Sequence, residues 1–270
     1  LKVRVSTRIQ HRPDFKARKF EEDDLESVMN VYDETNFDRT FSVVRSRETW
    51  KRQIAYPSAP YPSEDREAFT VVESPEGIVG YARMGISGDE SCVLIESGCT
   101  KGSEEALLAA LPRLFERCSG LGCQELQVGV PPDHPFSSVL RNLNVETEFT
   151  ETGGLMLNVV SPRELFIRLE ELLSNRIGRN LSLEARLCIN VEGQKLGIEV
   201  ADGKARIFEG VGETLSLEIG RRGLAKIVSG FALPSQLISS GEAKASAHLE
   251  GVLDELFPRS YPHIYQPDWF

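Results

Sequence analysis

Residues 97–118, SGCTKGSEEALLAALPRLFERC, decide how this chain is read. The apolar run Val93-Leu94-Ile95 leads into the stretch. A short turn follows, and the turn opens a helix whose apolar residues recur at helical spacing. Strand, turn and helix in that order is a layout that can hold a phosphate, because free N–H groups and the helix dipole favour negative charge at the helix start. Here the turn carries Lys101, Gly102 and Ser103, followed by Glu104 and Glu105. Two carboxylates at the positive end of the dipole take the place of an anion and repel a diphosphate nearby. The sequence therefore predicts an ordinary helix start, capped by Ser103, with no phosphate held there.

Upstream, FKARKF (15–20) reads as a short strand. EEDDLESVMNVYDETN (21–36) places Leu25, Val28, Met29 and Tyr32 on one helical face, with acidic residues in its first turn. SRETWKRQI (46–54) is a second short helix with Ser46 as N-cap. YPSAPYPSED (56–65) is a Pro- and Ser-rich loop. AFTVVES and IVGYARMGI flank the turn PEG as a hairpin, and CVLIESG is a third strand. Downstream, ELQVGV is a strand, FSSVLRNLN a helix and GLMLNVV another strand. Hairpins that give way to strand–helix crossovers predict an α+β sheet with a parallel part.

A boundary falls near residue 160, dividing the chain into 1–160 and 161–270. SPRELFIRLEELLSNRI opens with Ser161 as N-cap and Pro162 at the first helical position. Leu165, Leu169, Leu172 and Leu173 form its expected apolar stripe. LEARLCINV, KLGIEV, KARIFEG and LSLEIG are four short strands read as a meander, with Asp202-Gly203 as a two-residue hairpin turn. RRGLAKIVSGF and SAHLEGVLDELF are helices packed on them. No internal repeat or low-complexity segment appears.

The composition bounds the function. Of 270 residues, 40% are hydrophobic, which is enough for packed cores. The net charge of −10 argues against a nucleic-acid partner. Five cysteines, Cys92, Cys99, Cys118, Cys123 and Cys188, are odd in number and lack C-x-x-C spacing, so a reducing cytoplasm is the simplest reading. His11, His134, His248 and His263 show no metal-ligand spacing and read as surface residues. No run reaches the roughly 18 apolar residues of a membrane span. LKVRVSTRIQHRPDF has basic residues but no apolar signal-peptide core. It begins at Leu1 rather than Met, which suggests missing sequence upstream.

The order of elements in the first unit resembles the GNAT acetyltransferase fold. IVGYARMGI is similar to the GNAT strand after the substrate-side hairpin, and 93–143 is similar to the strand–helix–strand–helix core that holds acetyl-CoA in that family. The family's R/Q-x-x-G-x-G/A loop fails here. With Lys101 at the Arg/Gln place, the glycine places fall on Glu104 and Ala106. Three further stretches resemble the enhanced intracellular survival family, whose members look like two tandem GNAT units followed by a sterol-carrier-protein-like domain. TFSVVRSRETW (40–50) is similar to the small-Val-Val-Arg-x-x-x-x-Trp segment of the second, degenerate GNAT unit. LMLNVVSPRELF (155–166) resembles the junction into the third domain, and LFPRSYPHIYQPDWF (256–270) the family's Phe-Pro…Pro-x-x-x-x-x-Asp-x-Phe end.

The resemblance implies an α+β chain: a degenerate GNAT-like mixed sheet, then a sterol-carrier-protein-like domain. It implies the non-coenzyme part of an acetyl-CoA-dependent N-acetyltransferase, or a short relative that has lost the activity. No cofactor is expected in this chain, and acetyl-CoA only if an upstream GNAT unit exists. The terminal carboxylate of Phe270 maps onto the family's general base, and desolvation would raise its pKa toward the working range. Tyr261, Tyr265, Trp269 and Phe270 would anchor such a tail by burial. Asp268 and Trp269 are candidates for holding a cationic amine, with a solvated Asp268 as the plainer alternative. Arg45 is expected to pair with the acidic first helix or to sit at a seam between units, and Trp50 to lie in the core. The resemblance also implies a homo-oligomer. The alternative function is an apolar-ligand module, with Leu224, Ile227, Phe231, Leu233, Leu237 and Ile238 lining a tunnel or serving as ordinary core.

Overall fold

The structure, a computed structural model, describes residues 1–10, 12–55, 63–87, 91–143, 145–146, 157–177, 185–208 and 215–268. The chain divides into two compact units, Leu1–Glu151 with His263–Phe270, and Thr152–Pro262. The sequence reading divides it at 160 and leaves the tail with the second unit. The structure instead places residues 263–268 in the first, where Tyr265 joins the core. The mixed α+β class expected from the sequence is the class observed.

In the first unit, β1 (Lys2–Arg4), β2 (Lys16–Lys19), β3 (Ser63–Glu64), β4 (Thr70–Ser74), β5 (Gly77–Ile86), β6 (Cys92–Cys99) and β7 (Glu125–Val128) form one sheet. Its order is β1-β7-β6-β5-β4-β2, with β3 beside β5. The expected hairpin is β4–β5, antiparallel, and β5–β6 is antiparallel too. The parallel part is β6–β7, paired only over Cys92–Leu94 against Leu126–Val128. β1 was not anticipated; its antiparallel pairing closes the free edge of β7.

Two layers of helix cover this sheet. α1 (Leu25–Asn36) and α2 (Arg47–Ala55) lie on one face, and α3 (Ala106–Gly120) with α4 (Pro135–Leu140) on the other. Alternation along β5 sorts the faces. Ala82 and Met84 pack with Leu107, Leu111 and Leu114 of α3, whereas Tyr81 packs with Val28, Tyr32 and Trp50. Each fully buried apolar side chain of this size contributes about 1.5–3 kcal/mol. Ser46 caps α2 as expected, its Oγ accepting from Thr49 N at 3.1 Å.

Three expectations for residues 1–160 and the tail need correction. Ser103 does not cap α3: the residue before the helix is Glu105, with no side-chain cap. Ser103 belongs to a preceding turn, its carbonyl accepting from Ala106 N at 2.9 Å. Of GLMLNVV, residues 157–160 lie outside any strand, and 154–156 lie outside the described residues. His134 and His263 are not surface residues. His134 has no exposed surface and His263 is half-buried, because both rings pack edge-on against Tyr265. The loop 56–65 falls mostly outside the described residues.

The second unit contains α5 (Pro162–Ile177), β8 (Ala185–Val191), β9 (Gln194–Ala201), β10 (Lys204–Phe208), β11 (Leu215–Ile219), α6 (Arg221–Val228), α7 (Pro234–Ser239), β12 (Ala243–Ala245) and α8 (Glu250–Leu256). Only β8, β9 and β10 form a meander. β11 crosses to the other side and pairs parallel with β8, so the order is β10-β9-β8-β11-β12. The Asp202-Gly203 hairpin is present, with both φ angles positive at 52° and 69°, the backbone a two-residue I′ turn requires. Ser161 caps α5, with Glu164 N bonded to its Oγ at 3.3 Å. The buried stripe of α5 is Phe166, Leu173 and Ile177, flanked by half-buried Leu165 and Leu169; Leu172 faces solvent.

Candidate functional site

Two charges lie inside otherwise apolar strands. Arg83 of β5 and Glu96 of β6 are direct cross-strand partners, both without exposed surface. They face the α1–α2 layer, and the guanidinium Nη1 lies 3.5 Å from Glu96 Oε2. Two residues earlier on the same face, Tyr81 Oη donates to Glu96 Oε1 at 2.8 Å. A buried carboxylate is tolerated only when it is paired and hydrogen-bonded. Burial pushes Glu96 up, but Arg45 and Arg83 outweigh it and hold the group below the ordinary glutamate value.

Arg45, in the connection between α1 and α2, supplies the second cation. Its Nη2 donates to Glu96 Oε2 at 2.5 Å. Its guanidinium carbon lies 4.3 Å from the ring centre of Tyr32 and 4.5 Å from that of Trp50, within cation–π range. Its Nε and Nη2 also grip Asp268 from the end of the chain, at 2.9 Å to Oδ1 and 2.7 Å to Oδ2, a two-point fork. Gln53 of α2 adds bonds from Nε2 to Asp268 Oδ1 at 2.8 Å and to Pro267 O at 3.0 Å.

The tail lies against β6 where that strand has outrun β7. Among the described residues, the β7 side of β6 has no strand partner beyond Leu94, and side chains take its backbone groups. His134 Nδ1 accepts from Phe136 N at 3.0 Å, which leaves Nε2–H for Ser97 O at 3.1 Å. Tyr265 Oη approaches the same carbonyl at 3.5 Å. Cys99 N donates to Thr35 Oγ1 of α1 at 3.0 Å. Burial, aided by Arg39, lowers His134 to about 3 and His263 to about 4, so both imidazoles are neutral at pH 7.

The start of α3 was the candidate anion site, and its amides are already engaged. Lys101 N donates to Glu34 Oε1 at 2.8 Å, Gly102 N to Glu104 Oε1 at 3.2 Å, and Ser103 N to Thr100 O at 3.0 Å. Gly102 has φ +83°, a conformation suited to glycine. Glu105 lies beside them, paired to Arg12 at 3.0 Å. A diphosphate here would have to displace two carboxylates from the N–H groups it needs. These residues do not fit the pyrophosphate of acetyl-CoA. Among the described residues, no group of three or more His, Cys, Asp or Glu could hold a metal ion, and no helix is long and apolar enough to cross a membrane.

Of the residues singled out from sequence, Asp268 and Arg45 come together with Trp50; Trp269 and Phe270 lie outside the described residues. The Asp268 side chain is 3% exposed, so its carboxylate is committed to Arg45 and Gln53 rather than solvated. Arg45 lies against Tyr32 of the first helix, but its ion pairs are with Glu96 of β6 and Asp268 of the tail rather than with that helix's acidic residues. In the second unit Leu224, Ile227 and Leu237 are core, Leu233 and Ile238 are partly buried, and Phe231 is exposed. Sequence reasoning missed Glu96, Arg83 and Gln53. The available signal was one charge inside each of two neighbouring apolar strands.

No family profile and no curated protein matches the chain. Its fold does match solved structures across its full length. A GCN5-related N-acetyltransferase from Anabaena variabilis superposes with a TM-score of 0.67 at 14% identity, covering 100% of this chain and 66% of that one. Another, from Kribbella flavida, gives 0.66 at 15%, covering 100% and 64%. Eis1 from Mycobacterium abscessus gives 0.57 at 16%, covering 100% and 66%. Identities this low show the fold alone. The chain spans just under two thirds of the length of each of these structures.

Proposed function

We propose that this chain is the part of a GNAT-type N-acetyltransferase that does not hold the coenzyme. In this reading a further GNAT-like unit binds acetyl-CoA. The present chain supplies a wall of the acceptor pocket and, through Phe270, the terminal carboxylate that accepts the proton lost by an amine acceptor. The second unit is read as the sterol-carrier-like domain of the same protein. The supporting observation is at the start of α3, where the amides that would meet a diphosphate donate to Glu34 and Glu104. The occupied backbone edge of β6 supports it too, because an extended ligand adding there would need those groups free. All five cysteines are free thiols, in keeping with a cytoplasmic protein, and we extend the reading to a homo-oligomer.

Calorimetric titration of the 270-residue chain with acetyl-CoA tests the reading. No binding heat is expected up to millimolar coenzyme, and micromolar binding overturns it. In the protein with the coenzyme-binding unit attached, acetyl transfer to an amine is expected, and removal of Trp269 and Phe270 should abolish it.

A further inference from the structure

We propose that Arg45 is a positioning residue for the end of the chain, acting through Asp268. That the end of the chain needs positioning rests on the reading of Phe270 given above; the latch itself rests on geometry. Residues 263–268 are held at four separate points of the first unit. His263 N donates to Thr40 O at 3.1 Å, and the Tyr265 ring is 1% exposed in the core. Gln53 takes Pro267 O, and Arg45 takes Asp268. Packing of one aromatic ring would pin a tail, but it would not require a buried two-point fork on the last described residue. Such a pair is a costly way to gain stability and a good way to specify one geometry. The Arg45 guanidinium also has contacts that do not involve the tail, against the rings of Tyr32 and Trp50 and with Glu96. While the fork is closed, Asp268 is fixed against β6 and the connection between α1 and α2.

The test is Asp268→Asn in the full chain, which keeps the side-chain shape and an acceptor for Gln53 but weakens the fork. Release of Phe270 by carboxypeptidase A is followed by mass spectrometry, alongside hydrogen exchange of Tyr265–Asp268. Release is expected to accelerate at least tenfold with an unchanged circular dichroism spectrum. Arg45→Lys, which keeps the charge but not the fork, should fall between Asp268→Asn and wild type. A rate within twofold of wild type overturns the latch. Should Asp268→Asn fail to fold, Gln53→Leu serves in its place, with accelerated release again expected and an unchanged rate again overturning the proposal. In the protein carrying the coenzyme-binding unit, a fall in kcat at constant KM supports latch and reading together. Faster release with unchanged kcat overturns the catalytic role of the terminal carboxylate and leaves the latch standing.

Discussion

Arg83 and Glu96 face each other across β5 and β6 with no solvent on either side, 3.5 Å apart at their nearest atoms. Glu96 is also the acceptor for Arg45 and Tyr81, so one carboxylate balances two buried guanidiniums and satisfies a buried phenol. Removing it leaves Arg45 with Asp268 alone and takes from Arg83 the carboxylate facing it across the strands. Glu96→Ala is expected to destabilise the first unit by about 3–5 kcal/mol, the usual cost of breaking a buried pair from one side. Trp50 lies in the core of this unit and residues 152–262 contain no tryptophan, so urea unfolding followed by tryptophan fluorescence reads the first unit selectively. A loss below about 1 kcal/mol would show that water, not Glu96, compensates the arginines.

Acid should loosen the same unit, and the sign follows from the histidines. His134 and His263 titrate at about 3 and about 4 in the folded chain, against about 6.5 unfolded. A lowered folded pKa means that the unfolded state binds the extra protons. Stability is therefore full above pH 6.5 and falls as the pH drops toward 4. Each histidine contributes a slope of about 1.4 kcal/mol per pH unit in that window. Arg39 opposes protonation of both rings, whereas Asp133 and Glu96 favour it at His263. Urea midpoints between pH 7.5 and 5 should decline steadily, and His263→Phe should remove about half of the slope. A flat profile from 6.5 to 5 contradicts the burial of these rings.

The legible and illegible parts of this structure differ in the range of the forces behind them. Ser46 and Ser161 as caps, and Asp202-Gly203 as a turn, act within four residues, and all three stand as read. The same holds for the β4–β5 hairpin. The parallel crossover of β11 to β8 was not readable, because strands of similar alternation carry no mark of which neighbour they choose. The Arg45–Asp268 fork joins residues 223 positions apart, and a lone Arg in one segment does not announce a lone Asp in another. The α3 start was half legible. Glu104 acts locally, and its clash with a diphosphate is visible in the sequence. Glu34 arrives from α1 and is visible only in the fold.

At Gly98, β6 approaches α1 closely. A Cβ there would lie 2.7 Å from Thr35 Oγ1 and 2.8 Å from Tyr81 Cε1, distances that force movement. Thr35 cannot yield easily, since its hydroxyl serves Cys99 N. Gly98→Ala is expected to cost about 1–3 kcal/mol by overpacking. Gly80, in the neighbouring strand, has its nearest neighbours at 3.4 Å, so Gly80→Ala should be clearly milder. Equal losses in the two variants, measured by the same fluorescence transition, would contradict this close approach.

In the second unit, α5 guards an exposed sheet edge. Among the described residues β10 pairs only with β9, so its outer backbone groups face away from the sheet. Ser174 Oγ accepts from Ala205 N at 3.0 Å and lies 3.1 Å from Ala205 O, while Glu170 Oε2 accepts from Ile207 N at 2.9 Å. Two side chains of one helix thereby stand in for a missing strand, and an uncovered edge of this kind invites pairing with another chain. Ser174→Ala should cost about 1–3 kcal/mol, because it strands a donor and an acceptor together. Ser174→Ala with Glu170→Ala should also expose the edge and raise self-association. Light scattering across a concentration series reads this directly. A double variant whose molar mass stays equal to that of wild type at every concentration would show that α5 covers the edge by packing, without need of these bonds.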